Sequence, residues 1–349
     1  MPSDHRVPPR SVAELNQWIT DLANESSHPT QAKALRKNFT TAILAQMLPG
    51  NAYLKGGAAL GLRYSLSESR TSRDVDSVYA GSKERFFADL KKRLAEGWEG
   101  FTGEVSHEER RTVPKGIDLE PSFITIYYRK GRFAKISFEA TPDVDGHGDA
   151  TEHVMDDGMR SMFERMGFGM RPPRMLDIDA QLAEKLNGVT NPDYVRGRDL
   201  RDIELIMSHH TPDLEKLRIH VRASERRTNG HEVHVITERG MSEYENAYRR
   251  ATGENLEAAW RITEALLEQV DCNHAERWLD QWGDAYPKRH KDWTRIAERE
   301  AAITRTFLDD HDSAPSEHGQ SATAQGGVVY VPSYRRKDGT MVRGHMRRC

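Results

Sequence analysis

Cysteine is nearly absent from the 349-residue chain. Cys272 and Cys349 cannot build a disulfide framework or a cysteine zinc site. Long apolar runs are missing as well. No stretch approaches the 18 or more apolar residues that a membrane-spanning helix needs. Residues 1–11 carry charge with no apolar segment behind it, so no secretory signal is expected and a cytoplasmic location is the expectation. Nor does one sign of charge dominate: 51 basic against 54 acidic residues leave a net −3. That balance excludes a uniformly basic nucleic-acid coat and leaves local patches open. No internal repeat is visible.

The residues present read as a mixed α/β region followed by a helical one. Ser11 and Glu14 have capping-box spacing at the start of a short helix. Between Gln31 and Leu48 the apolar residues Leu35, Phe39, Ala42, Ile43 and Met47 recur at helical spacing, and Pro49-Gly50 ends the run. A strand over Ala52 to Leu54 leads to Gly56-Gly57 and a helix from Ala58 to Tyr64. Asp74 to Tyr79 alternates as a strand does, and a helix covers Lys83 to Leu94. Strands are expected over Ser122 to Tyr128 and Phe133 to Ala140, with a hairpin turn at Gly131. The Asp- and Gly-rich span from Thr141 to Gly158 reads as a loop. Beyond Met175, helices are expected over Leu182 to Val189, Leu200 to Met207 and Asn255 to Val270.

Two groups of residues carry chemistry. Asp74 and Asp76 sit at i and i+2 of a strand, so their carboxylates share one face. Such a pair repels unless a cation lies between, and hard oxygen ligands favour Mg²⁺. Alternation puts Glu139 with Lys135 and Ser137 on the polar face of its strand, which makes it the candidate third metal ligand. Upstream, Gly56 and Gly57 stand between strand and helix, where backbone N–H groups and the helix N-terminus can hold a phosphate. The second group is on helices. Ile178, Leu182, Leu186 and Val189 form an apolar stripe that contains Lys185 but not Glu184. Asp199 falls on the inner face of the next helix and Asp202 at its edge. Lys185 and Asp199 either form an internal pair that fixes two helices or serve a phosphate ligand, and the two readings are compatible.

The run Leu54-Lys55-Gly56-Gly57-Ala58-Ala59-Leu60, followed by Ser72-Arg73-Asp74-Val75-Asp76, resembles the opening motif of the AbiEii/AbiGii toxin family. Asp179 to Leu186 and then Arg196 to Ile203 resemble that family's second half. The resemblance spans residues 54 to about 207. It departs from the family pattern in Ala58, where threonine is commoner, and in Arg201, where an aromatic is usual. It implies an α+β fold with a polymerase-beta-like nucleotidyltransferase core, a mixed sheet with flanking helices, then a helical C-terminal region and a short basic tail. Also implied is a toxin of a type IV toxin–antitoxin or phage-defence system. Such a toxin transfers a nucleotide from NTP to an acceptor such as the tRNA 3′ end, and its antitoxin is encoded nearby. By position, Asp74 and Asp76 would be catalytic and metal-binding with Mg²⁺, and Lys185 and Asp199 catalytic. Lys55, Gly56, Gly57, Ser72 and Lys185 would bind the nucleotide.

The expected division is a catalytic region over 1–160 and a helical region over 161–307 that contributes Lys185 and Asp199. A polar, non-periodic linker over 308–325 and a basic tail over 326–349 follow. Six basic residues against the single acid Asp338 give that tail a net +5, with Tyr330, Tyr334 and His345 interleaved. Such a mix suits phosphate contact and base stacking, and a turn is expected at Lys337-Asp338-Gly339. His209-His210 and His231/His234 lack cysteine or carboxylate partners in the sequence and read as surface residues. Trp260, Trp278, Trp282 and Trp293 read as core. Transfer to a small molecule or a protein, and a catalytically inactive nucleotide-binding module, remain open at this point.

Overall fold

The capping box forms. The Glu14 backbone N–H donates to Ser11 Oγ at 3.1 Å, and Glu14 Oε2 accepts from the Arg10 N–H at 2.6 Å. It opens the first helix of a computed structural model that describes residues 7–25, 31–65, 67–107, 120–143, 151–191, 195–227, 231–234, 236, 241–252 and 256–270. Four short strands between 328 and 348 are described as well. The chain forms two compact units, Met1–Asp280 and Gln281–Cys349.

In chain order the first unit contains α1 (Val12–Glu25), α2 (Gln31–Gln46), β1 (Ala52–Lys55), α3 (Gly56–Arg63), β2 (Asp74–Tyr79) and α4 (Lys83–Glu96). Next come β3 (Phe101–His107), β4 (Glu120–Tyr128), β5 (Gly131–Pro142), β6 (Thr151–His153), α5 (Asp157–Arg165) and β7 (Arg174–Leu176). The helices α6 (Ile178–Val189), α7 (Gly197–His209), α8 (Leu214–Arg227), α9 (Met241–Thr252) and α10 (Glu257–Val270) complete it. The seven strands make one mixed sheet in the order β3-β4-β5-β2-β1-β7-β6. At its centre β2 runs antiparallel to β1 and parallel to β5. The α+β architecture expected from the sequence is the one observed.

Each face of the sheet has its own role, set by the two-residue alternation of strands. Leu54, Val75, Tyr79, Ile136, Phe138 and Ala140 point into a large core closed by α1, α2, α4 and α5. On the opposite face Tyr53, Val78 and Leu176 form a small cluster with Ala180 of α6. Polar residues of β1, β2 and β5 share that face: Lys55, Asp74, Asp76, Ser137 and Glu139. A second core gathers α6 to α10 around Leu182, Leu186, Leu200, Ile203, Tyr244 and Trp260.

Two expectations shift. The span read as a loop from Thr141 to Gly158 contains the end of β5, all of β6 and the start of α5. Its Asp-Gly signal is in part a helix cap, since Asp156 accepts from the Met159 N–H at 2.8 Å. Strand β6 is three residues long and shows no alternation. Helix α6 is not striped: eleven of its twelve residues are buried, and Glu184 alone is not. It runs between the sheet and the other helices, and a helix enclosed on all sides loses its polar face.

In the second unit β8 (Val328–Val331) pairs antiparallel with β11 (His345–Arg348), and β9 (Tyr334–Arg335) with β10 (Met341–Val342). Partner numbers in both ladders add to the same value, so the two share one register. The 308–325 linker, the turn at Lys337-Asp338-Gly339, and Trp278, Trp282 and Trp293 lie outside the described residues. Among the described residues no helix is long and apolar enough to cross a membrane.

Phe39 of α2 stacks on Phe163 of α5 at 4.1 Å between ring centroids, and both are fully buried. Phe163→Ala is expected to reduce unfolding free energy by about 3–5 kcal/mol, the cost of a large aromatic cavity. Urea denaturation measures it, and a loss below ~1 kcal/mol would contradict this packing.

Candidate active site

The centre of the sheet lines up charged residues by register. Lys55 of β1 lies opposite Asp76 of β2, and Asp76 lies opposite Glu139 of β5; Asp74 is opposite Ser137. Adjacent strands are about 4.8 Å apart, so Lys55, Asp76 and Glu139 form one transverse row, with Asp74 one step along. The carboxyl of Asp76 is pushed above the ordinary aspartate range. Burial is the main cause; Lys55 and Lys185 oppose the shift, and Asp74 and Glu184 add to it. A carboxylate held up in this way gains from any cation that reaches it. Lys55 is engaged already, its Nζ 2.9 Å from Glu184 Oε1 on α6.

The glycine turn adjoins this row. Gly56 has φ +67° and begins α3. A Cβ placed on Gly56 would lie 2.3 Å from Asp76 Oδ2. Glycine is therefore required twice, by the left-handed backbone and by the carboxylate lying against its α-carbon. The residue before the helix, Lys55, makes no side-chain cap bond, so its side chain leaves the first-turn donors of α3 unclaimed. Gln181 of α6, fully buried, donates from Nε2 to the Gly56 carbonyl at 3.3 Å, and its Oε1 has no hydrogen-bond partner. Ser72 donates to the Asp74 carbonyl at 2.9 Å, fixing the entry to β2.

Across from the sheet, Lys185 is buried between two aspartates. Its Nζ lies 2.9 Å from Asp199 Oδ1 and 2.8 Å from Asp202 Oδ2. Asp202 also receives Arg70, which donates from Nε at 2.7 Å and Nη2 at 2.6 Å in a two-pronged bond. The second oxygen of Asp199 is buried without an aligned hydrogen bond, and Arg196 Nε approaches it to 2.8 Å as an ion pair. Burial alone would lower the Lys185 pKa, but Asp199 and Asp202 outweigh it and hold the ammonium above its ordinary value. Burial likewise works to raise Asp202, and Lys185 and Arg70 overcome it, leaving that carboxyl below the ordinary range.

The structure thus brings Lys55, Gly56, Gly57, Ser72, Asp74, Asp76, Glu139, Lys185 and Asp199 into one compact unit, on two sides of the α3 N-terminus. The side chains of Asp74, Asp76 and Glu139 do not close into a cage. Among the described residues no group of three or more His, Cys, Asp or Glu is gathered tightly enough to hold a metal ion. The sequence reading missed Arg70, Asp202, Glu184, Gln181 and Arg196 as parts of the site. Asp202 had a signal, lying one turn beyond Asp199 on α7, whereas nothing local marks Arg70. His209 and His210 do have acidic partners, Glu68 at 2.9 Å and Asp179 at 2.7 Å, both distant in sequence. Arg201 pairs with Glu204 at 2.7 Å, its own helical neighbour.

The crowding at Gly56 is open to a paired test. Gly56→Ala is expected to cost about 1–3 kcal/mol of stability, as a strained backbone site does. Gly50, with nothing within 4 Å of an added Cβ, is the control, and Gly50→Ala should change stability by no more than about 1 kcal/mol. Equal effects in urea denaturation would contradict the described contact with Asp76.

Comparison with known proteins bears on the family and the fold. Residues 39–307 match the family described as nucleotidyl transferase AbiEii toxin of type IV toxin–antitoxin systems. No curated protein matches the sequence significantly. Among solved structures the fold is similar to MenT4, a nucleotidyltransferase toxin from Mycobacterium tuberculosis H37Rv. That match has TM-score 0.52 and 16% identity, covering 82% of this chain and 98% of the other. The chain belongs to the AbiEii family of nucleotidyltransferase toxins of type IV toxin–antitoxin systems, enzymes that draw on NTP and have an antitoxin as partner.

Proposed function

We propose that this toxin uses Mg²⁺ and moves a nucleotide from NTP to an RNA acceptor, such as the 3′ end of tRNA. The observation that carries the reading is the placement of Asp76 against the Gly56 turn, with Asp74 beside it and with Gly57 against Arg70, which shares Asp202 with the buried Lys185. Anionic ligands for a metal and cationic ligands for phosphate are thereby set a few residues apart in space.

The donor set suits Mg²⁺, which usually takes one or two carboxylates and completes its shell with water and substrate phosphates. Asp74 and Asp76 would hold it, and Glu139, in register with Asp76, is the neighbouring carboxylate. When bound, the ion supplies neutralisation of the charge that develops on the departing pyrophosphate. The chain's own residues do the rest. Gly56 and Gly57 let the triphosphate approach the backbone, where the first N–H groups of α3 donate to it. Lys185 supplies positive charge from the helical side. Asp199 orients that lysine, with Lys185 and Arg196 against its two oxygens. An RNA acceptor is favoured over a small molecule by the tail over 326–349, with its net +5.

Each labelled NTP is supplied in turn with Mg²⁺ and total RNA to the wild type and to Asp76→Ala. Label is expected in RNA with the wild type and at least ~100-fold less with the variant, the scale of losing a metal ligand. Label in protein or small molecules instead would overturn the RNA reading, and full activity in EDTA would overturn the Mg²⁺ reading.

A further inference from the structure

A cation lies against the glycine turn, Arg70. A Cβ on Gly57 would lie 2.9 Å from Arg70 Nη2, 3.2 Å from Nη1 and 3.3 Å from Cζ. Both terminal nitrogens are nearer than Cζ, so the guanidinium turns its Nη1/Nη2 edge toward Gly57, at the first turn of α3. Nε and Nη2 are fixed by Asp202, itself 1% exposed. The remaining nitrogen, Nη1, has no hydrogen-bond partner among the described residues and is not sealed from solvent.

The network joins Arg70 and Lys185 to Asp199 and Asp202, with Arg196, half exposed, at its edge. Lys185 is enclosed by both aspartates, whereas Arg70 has donors to spare. Burial acts to lower the Arg70 pKa, but Asp202, then Asp199 and Asp76, raise it above the ordinary value. The guanidinium is thus within the field of Asp76 as well as of the helical acids.

We propose that Arg70 is a triphosphate-binding residue, docked by Asp202 over the start of α3 so that Nη1 meets the phosphate oxygens admitted by Gly56 and Gly57. This rests on the nucleotide-transfer reading above and adds to it a ligand for the phosphates. Asp202 then acts as a positioning residue, holding the guanidinium plane. A guanidinium suits the task because two of its donors can be anchored while others remain free, an arrangement that an ammonium cannot reproduce.

The test measures binding of the four NTPs and of inorganic tripolyphosphate, each with Mg²⁺, by calorimetry on the full chain. Wild type is compared with Arg70→Gln, Arg70→Lys and the exposed control Arg85→Gln. Arg70→Gln is expected to weaken the preferred NTP and tripolyphosphate by the same factor, roughly 10- to 100-fold. Arg70→Lys should weaken both by about 3- to 10-fold, keeping the charge but not the fork, and the control should bind as wild type does. Should Arg70→Gln not fold, Arg70→Lys decides. Wild-type binding with both Arg70 variants within twofold of it would make Arg70 a structural tie alone and overturn the proposal. So would weakened NTP binding with tripolyphosphate unchanged. A wild type that binds no NTP would sink the nucleotide-transfer reading itself, a distinct result.

Discussion

An ammonium withdrawn from water has to be neutralised, and Lys185 is neutralised by two carboxylates, Asp199 and Asp202. Much of the site follows from that requirement. Both acids come from one face of α7, so α7 must lie against α6. Asp202 carries a second cation, Arg70, which belongs to the segment leading into β2. One buried aspartate therefore ties the helical half of the protein to the strand that bears Asp74 and Asp76. Removing one member of such a set leaves another charge uncompensated, a loss on the order of 3–5 kcal/mol. The network is better understood as fixing geometry than as adding stability.

Asp74, Asp76 and Glu139 share a face on which Lys55 stands opposite Asp76, and that lysine is partly spent on Glu184. The Asp76 carboxyl is held above its ordinary range mainly by burial, with Asp74 and Glu184 adding to it. Between the acids of the sheet and the cations Arg70 and Lys185 lies the turn at Gly56, where a side chain of any kind would strike Asp76. On the proposed function, a metal-bound triphosphate would meet Asp74 and Asp76 through its cation and Arg70 and Lys185 through its oxygens.

The sheet side was legible in the sequence because strands have a period of two: Asp74, Asp76 and Glu139 follow from alternation, and the observed register sets Glu139 beside Asp76. Lys185 and Asp199 could be read because charged residues on an apolar helical face are unusual. Arg70 could not, since it lies in a polar stretch and its partner is 132 residues away. Asp202 looked like an edge residue because the width of a buried face depends on what packs there. The expected apolar stripe of α6 was too narrow for the same reason: a helix enclosed on all sides buries Asp179, Gln181 and Asn187 too. Strand β6 and helix α5 were hidden by a short edge strand and by a cap that resembles a loop.

The central claim is that one bound nucleotide engages both halves, the turn at Gly56 on the sheet and the Lys185 helix behind it. Amide hydrogen exchange with and without NTP and Mg²⁺ tests it most directly. Slowed exchange is predicted together in residues 54–60 and 183–190, in wild type and not in Asp76→Ala. Protection confined to one of these segments, with NTP shown to be bound, would contradict a site built from both.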